Sequence, residues 1–391
     1  MPNTKPITST GEQAREIRER AAALHYANMF QVCSITKDFE GKDVSNLLGL
    51  NRAEVPIISE DGKEVASSAV MLEGMKIAAG KGMIVACHCE DPELAAAARP
   101  LRKHALEIMK QYNLPSWGSL KNTENAPSSA LEEIDDYLSG ANELLALAED
   151  VATERNISIA EQAGCHIHLC HVSTANSIEA VRRAKQKLSD EAADFYADMA
   201  DSAYDCSIEG IQFQPIEPVE NGFSVSCEVT PHHIALCGTE EPNIRALVNP
   251  PLRSEDDRIM LIDAIRDGTV DCISTDHAPH TLEDKAGGAP GFTGLETSYG
   301  VCNSVLVKEG QISAKRLSQL MSANPARLLK LNKGLLRTGF DADFSVINPD
   351  EPWTVDSKYF FSKGKATPFE GRTLYGTVKT VFINGQKIFE K

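Results

Sequence analysis

The chain has 391 residues, 42% of them hydrophobic, enough to bury a large core as one barrel with a small appendage or as two domains. Its formal net charge of −17 speaks against a nucleic-acid partner, which needs clustered Lys and Arg, but leaves a small anionic substrate open, because a few local cations or a metal override the global field. No apolar run of membrane-spanning length occurs and the start lacks a basic-then-apolar leader pattern, so no membrane is expected and a cytoplasmic protein is the default.

The ten cysteines lie mostly inside apolar runs without zinc-ribbon spacing and read as reduced core thiols. Ser9 and Glu12 form a capping-box pattern ahead of a helix with Ala14, Ile17, Ala21 and Leu24 on one face. A β-rich stretch over 31–36 follows, then a strand over 55–59 running into Glu60, Asp61 and Gly62. A helix over 67–79 leads to a strand over 83–88, in which alternation puts Ile84, Ala86 and His88 on one side. Residues 91–160 read as a long acidic helical crossover.

The strand over 165–171 also ends in histidine, with Ser173 or Thr174 as N-cap of the next helix. Parity groups Ile167, Leu169 and His171 on one face and His166, His168 and Cys170 on the other. With His171 at the mouth, His166 and His168 are expected to turn toward the helices.

Residues 189–222 read as a surface insertion and 223–229 as a strand. Asn249 to Arg253 form a stiff turn, because two prolines fix φ and hold their neighbours extended. A helix over 254–266 feeds the strand 271–276, whose Cys272, Ser274 and Asp276 share one side. The glycine-rich loop 287–294 is expected to be mobile enough to close over a site. Past residue 340 two strand-like runs appear, 341–347 and 377–389, the second folded back at Asn384-Gly385 as a two-residue hairpin.

Strand and helix alternate, which predicts parallel βαβ units. Asp61, His88, His171 and Asp276 all fall at strand carboxyl ends, where a parallel α/β barrel leaves an open cup for ligands and bases. Two imidazoles and two carboxylates suit zinc, which lowers the pKa of water and makes a nucleophile without serine or cysteine. With no GxSxG elbow, P-loop or GxGxxG in the sequence, metal-assisted hydrolysis is the economical reading.

The chain resembles the dihydroorotases of the amidohydrolase superfamily through MPNT at 1–4, EDG at 60–62, HCED at 88–91, HLCHVST at 168–174, VTPHH at 229–233, VNPPLR at 248–253, TDHAPH at 275–280, GLET at 294–297 and TPFEG at 367–371. The resemblance implies a TIM-type (β/α)8 barrel of the metal-dependent hydrolase kind over 1–335 and strands of a small β-sandwich appendage over 336–391. It implies reversible, zinc-dependent hydrolysis of the cyclic amide of dihydroorotate to N-carbamoyl-aspartate in pyrimidine synthesis. His88 and His171 match ligands of one metal, Asp61 stands where relatives carry a carboxylated lysine or an aspartate, and Asp276 matches a ligand of the other metal and the general base. Asn3, Asn249 and His280 match contacts to the substrate and its carboxylate.

Members of the family carry a first barrel strand with His-x-His and an arginine, which this sequence does not contain. The expectation is therefore seven of the eight strands, ligands for at most one zinc where a complete site takes one or two, and little activity for the chain as written. A start assigned at an internal methionine is the favoured account, a fragment or a partner-supplied edge the alternatives. Rival functions are another cyclic amidase acting on hydantoins or allantoin, and a silent dihydroorotase-like subunit that scaffolds an aspartate transcarbamoylase. A homo-oligomer is also open.

Overall fold

The computed structural model describes residues 1–114, 126–196, 222–238 and 247–391. Most of the insertion expected over 189–222 lies outside these residues.

Six short strands form one parallel sheet in chain order: β1 (Cys33–Ser34), β2 (Ile57–Ser59), β3 (Ile84–Cys87), β4 (His166–Leu169), β5 (Ser224–Val229) and β6 (Cys272–Ile273). Each lies within a run anticipated from the sequence. Their two faces differ in chemistry. One face presents Cys33, Ile58, Val85, Cys87, Ile167, Leu169, Val225, Cys227 and Ile273 to a single apolar core shared with the helices. Met71 and Met75 of α2 (Ser68–Gly80), Ala152 and Ala160 of α3 (Ser128–Ala163), Ile178 and Val181 of α4 (Ala175–Tyr196) and Leu261 and Ile265 of α5 (Glu255–Asp267) supply the other half of that core.

The opposite face lines the barrel interior. Register carries one row of residues across five strands, Ser34, Ser59, Ala86, His168 and Ser226, all pointing the same way because directly paired residues in a sheet share a face. At the amino-terminal end of the strands Ile57, Ile84 and Cys272 close on Leu328 in a small apolar plug.

Helix starts follow local capping chemistry. Ser67 accepts from the Val70 amide to open α2, and Ser254 with Asp257 forms a capping box for α5, at the starts of the two helices anticipated over 67–79 and 254–266. The first helix, α1 (Gly11–Ala22), is capped by Thr10 with Gln13 rather than by Ser9 with Glu12. Ser9 is instead engaged by the Ser34 hydroxyl and the Asp38 amide. On that helix only Ala14 of the anticipated apolar face is buried, and Leu24, past its end, is 63% exposed.

Seven barrel strands were anticipated, and six are present among the described residues. Residues ahead of α1, with Pro2 and Pro6, run as a loop beside β1, where Thr8 O accepts from the Ser34 amide at 2.9 Å. After the barrel, β7 (Phe344–Thr354), β8 (Thr373–Ile383) and β9 (Gln386–Glu390) form an antiparallel sheet. Asn384 (φ 51°) and Gly385 (φ 75°) turn β8 into β9, as the positive φ at both positions of a type I′ hairpin requires. Val355, Phe360, Phe369 and Leu374 fasten this region to Leu236, Leu252 and Val301 of the barrel. No described helix is long and apolar enough to cross a membrane, and the nine described cysteines are all free and buried.

Candidate active site

Each anticipated ligand stands just past a strand, and the backbone there leaves the extended region. His171 (φ 35°) and Asp276 (φ 46°) sit in left-handed conformations that cost a side-chain-bearing residue energy, and Cys89 (φ 53°) does so immediately after His88. The twist breaks strand alternation and turns these side chains into the cup. Asp61 is oriented by its own amide, which donates to Ser59 Oγ at 3.1 Å.

Asp61, His88 and His171 converge. His88 Nδ1 and His171 Nε2 are 2.9 Å apart, and each is 3.7 Å from Asp61 Oδ1. Ligands at about 2.0 Å from a tetrahedral ion stand about 3.3 Å from one another, so this triangle fits one divalent cation. Both rings are buried. His88 Nε2 lies 3.8 Å from Glu90 Oε2, a carboxylate behind a ligating imidazole that fixes ring orientation.

The electrostatics point the same way. Burial pushes Asp61 up, but the hydrogen bond from His171 and the charges of His88 and His171 bring it down to about 2. Burial pushes His171 down, yet Asp61 and the charges of Asp276 and Glu228 raise it to about 10. Four carboxylates, Asp61, Glu90, Glu228 and Asp276, thus draw positive charge to this point, and a divalent ion between them answers the same demand. Asp276 itself is held above the ordinary carboxylate range by burial, with His171 opposing and Asp61 reinforcing.

The remaining anticipated contacts are less tightly gathered. Asn249 is held by Arg102, whose Nη1 donates to its Oδ1 at 2.6 Å. Asn3 is exposed, with its amide near Gly62, next to Asp61. His280 is half-buried on the segment after Asp276, which is packed tightly: a Cβ on Gly291 (φ 107°) would stand 2.7 Å from Ala278 Cβ. The glycine-rich loop anticipated to close over the site is instead stitched down, by Gly291 N to Leu247 O, Ala278 N to Phe292 O and Thr293 N to Ala366 O.

One parity expectation is reversed. His166 and His168 face the barrel interior and not the helices, because His168 shares its row with Ala86 while Ile167 and Leu169 enter the helix-side core. The left-handed φ of His171 is the reason: it returns that side chain to the interior, which strict alternation would deny.

Sequence reasoning also passed over a buried clamp. Glu149 of α3 accepts from the amides of Ser173 and Thr174 and from Arg253 Nη2, while Arg253 Nε donates to Ser173 Oγ. The clamp ties the chain after His171 to the turn that carries Asn249. An acid facing the base of a helix that follows a ligand was its only sequence signal.

A model of the Amidohydrolase family matches residues 31–388. A dihydroorotase from Clostridium botulinum (strain Eklund 17B / Type B) is 34% identical over 392 residues, covering 100% of this chain and 78% of that protein. A dihydroorotase from Bacillus caldolyticus is 32% identical over 397 residues, with the same coverages. Among solved structures, an L-hydantoinase from Arthrobacter aurescens superposes with a TM-score of 0.71 at 22% identity, covering 100% of this chain and 76% of that one. A dihydropyrimidinase from Brevibacillus agri gives a TM-score of 0.66 at 18% identity, covering 92% of this chain and 69% of that one. The fold, the ligand cluster at its strand ends and these full-length matches agree: the chain belongs to the amidohydrolase family, alongside the dihydroorotases.

Proposed function

We propose that the protein is a dihydroorotase that hydrolyses the cyclic amide of dihydroorotate to N-carbamoyl-aspartate, and runs the reverse, in pyrimidine synthesis in the cytoplasm. The observation that carries this reading is the end-to-end match to dihydroorotases, with 32–34% identity over the whole chain in the two relatives above. The solved hydantoinase structures share the fold and say nothing of the substrate.

In this reading Asp61, His88 and His171 hold zinc, whose preference for imidazole and carboxylate donors matches the set. When bound, zinc supplies Lewis acidity and activates water as nucleophile. Asp276 takes the proton of the attacking water on its carboxylate and returns it to the departing ring nitrogen. Burial raises its pKa above that of an ordinary carboxylate, which makes it the stronger base for that exchange. Asn3, Asn249 and His280 contact the substrate and its carboxylate, with Arg102 fixing the Asn249 amide so that its NH2 is free to point elsewhere. Residues 1–335 form the barrel unit and 336–391 the appendage.

The test is turnover of purified protein on dihydroorotate and N-carbamoyl-aspartate beside hydantoin, dihydrouracil and allantoin, with metal content measured on the same sample. Preference for the carboxylated ring, lost in His280→Ala, is expected. Faster turnover of an uncarboxylated ring would make it another cyclic amidase. No turnover, with a stoichiometric transcarbamoylase co-purifying, would make it a scaffold.

A further inference from the structure

The barrel interior holds a second group of ligating side chains that the reaction above does not use. His168, Cys170 and Glu228 place one donor atom each within 4.8 Å of the others, at buried or half-buried positions. His168 Nε2 lies 3.1 Å from Glu228 Oε2. That separation is close to the roughly 3.3 Å expected between two light ligands of one tetrahedral ion. A thiolate, an imidazole and a carboxylate together select a borderline, thiophilic cation over magnesium or calcium.

The hydrogen bonds around His168 are compatible with either tautomer of its ring. Ser226 Oγ lies 2.9 Å from His168 Nδ1 and 2.9 Å from His166 Nε2. One hydroxyl has one proton to give, so it donates to one ring and accepts from the other. If His166 receives the proton, His168 Nδ1–H donates to Ser226, and its Nε2 lone pair then faces the Glu228 carboxylate. In the other tautomer His168 Nε2–H donates to Glu228, and a bound cation takes that proton's place between the two atoms. A hydrogen-bonded His Nδ1–H opposite a ligating Nε2 is also how metal-bound imidazoles are held.

We propose that His168, Cys170 and Glu228 form a second divalent-cation site, for zinc or a similarly thiophilic ion, inside the barrel one layer below the Asp61, His88 and His171 centre. It provides three protein ligands, the number found in an open rather than a closed zinc site. Glu228 joins the two centres, because it also hydrogen-bonds the backbone of His171. Loading expels the Cys170 thiol proton to solvent, since the thiolate is the ligand. The inference stands apart from the identity of the substrate.

Cobalt(II) is the probe. The full chain loaded with Co2+ is expected to show a thiolate-to-cobalt charge-transfer band in the near ultraviolet beside the ligand-field bands of tetrahedral cobalt. Cys170→Ser is expected to abolish the charge-transfer band and lower cobalt content by one equivalent, keeping the ligand-field bands of the upper centre. The double variant His88→Ala/His171→Ala should lose one equivalent of cobalt and keep the charge-transfer band. A wild-type chain without the charge-transfer band, or a band that survives Cys170→Ser, overturns the proposal. Should Cys170→Ser fail to fold, Glu228→Gln decides. It keeps an acceptor for the His171 amide, and a cobalt affinity at the thiolate site that falls less than about tenfold refutes the assignment. Turnover of dihydroorotate is read separately: its absence with the band intact counts against the proposed function and not against this site.

Discussion

The two faces of the same six strands have opposite chemistry. On the helix side, Val85, Ile167, Leu169, Cys227 and Ile273 are at most 6% exposed and belong to one core. On the interior side, Ser34, Ser59, His168 and Ser226 are also nearly inaccessible, yet they are polar and hydrogen-bonded: Ser34 donates to Ser9, Ser59 accepts from the Asp61 amide, and Ser226 bonds His168. Equal burial therefore marks two different roles. Apolar contact on the outer face stabilises the fold, and the inner face gathers imidazole and carboxylate donors that could hold a metal ion. Substitutions should separate along this divide.

The largest effect belongs to the interior. His88→Ala removes one of three converging ligands and should lower kcat/KM for dihydroorotate by about 10³-fold or more, about 4 kcal/mol. Because the ring contributes to no apolar core, the unfolding free energy in urea should stay within about 1 kcal/mol of wild type. A parallel loss of stability would break the comparison. Glu149→Ala tests a polar group that is buried for structural reasons. It leaves Arg253 buried without its one carboxylate partner, held only by Ser173 Oγ and the Asn142 and Leu145 carbonyls, and should cost about 3–5 kcal/mol in equilibrium unfolding. Metal content at saturating zinc is expected to persist. On the outer face, Leu169→Ala opens a cavity in a fully buried position and should cost about 2–5 kcal/mol, with kcat changed by no more than a few fold.

The sequence disclosed the outer face better than the inner one. Apolar runs bounded by Gly, Pro and charged residues located all six strands within a few residues, because a strand packed on helices must be apolar on that face. The polar residues at strand ends were legible for the same reason: His88 and Asp276 interrupt the run of their strand where the chain meets the mouth. Which way β4 faces was not legible. Alternation assumes an extended backbone through the last residue, and His171 at φ 35° does not have one. Glu228 went unnoticed as a partner of His168 because the two are 60 residues apart, and only the pairing of β4 with β5 brings them together. The count of seven was a subtraction from the eight strands of the resembled barrel, whereas strand-like runs occur at six places in the sequence, and those six are the parallel strands present among the described residues.

The smallest effect concerns a buried charge that belongs to neither face. Lys285 is fully buried, and its Nζ donates to Leu247 O at 2.7 Å, Ala289 O at 2.7 Å and Gly291 O at 2.9 Å, pinning the glycine-rich loop. Burial, aided by the nearby charge of Arg102, pushes its ammonium down from 10.5 to about 7, while the three carbonyls favour keeping the proton. A base whose folded pKa lies below its unfolded one binds fewer protons when folded between those two values. Its contribution to stability therefore rises with pH from about 7 to about 10.5, and below about 7 the cost of burying the charge is fully present. The slope is at most about 1.4 kcal/mol per pH unit, and less to the extent that the carbonyls hold the proton. Urea unfolding of wild type and Lys285→Met at pH 7 and 9 isolates this term from every other titrating group, because only wild type carries it. The wild-type free energy should gain on the variant as pH rises. Equal slopes would mean that three carbonyl oxygens suffice to keep a fully buried ammonium charged, and that burial alone does not decide its state.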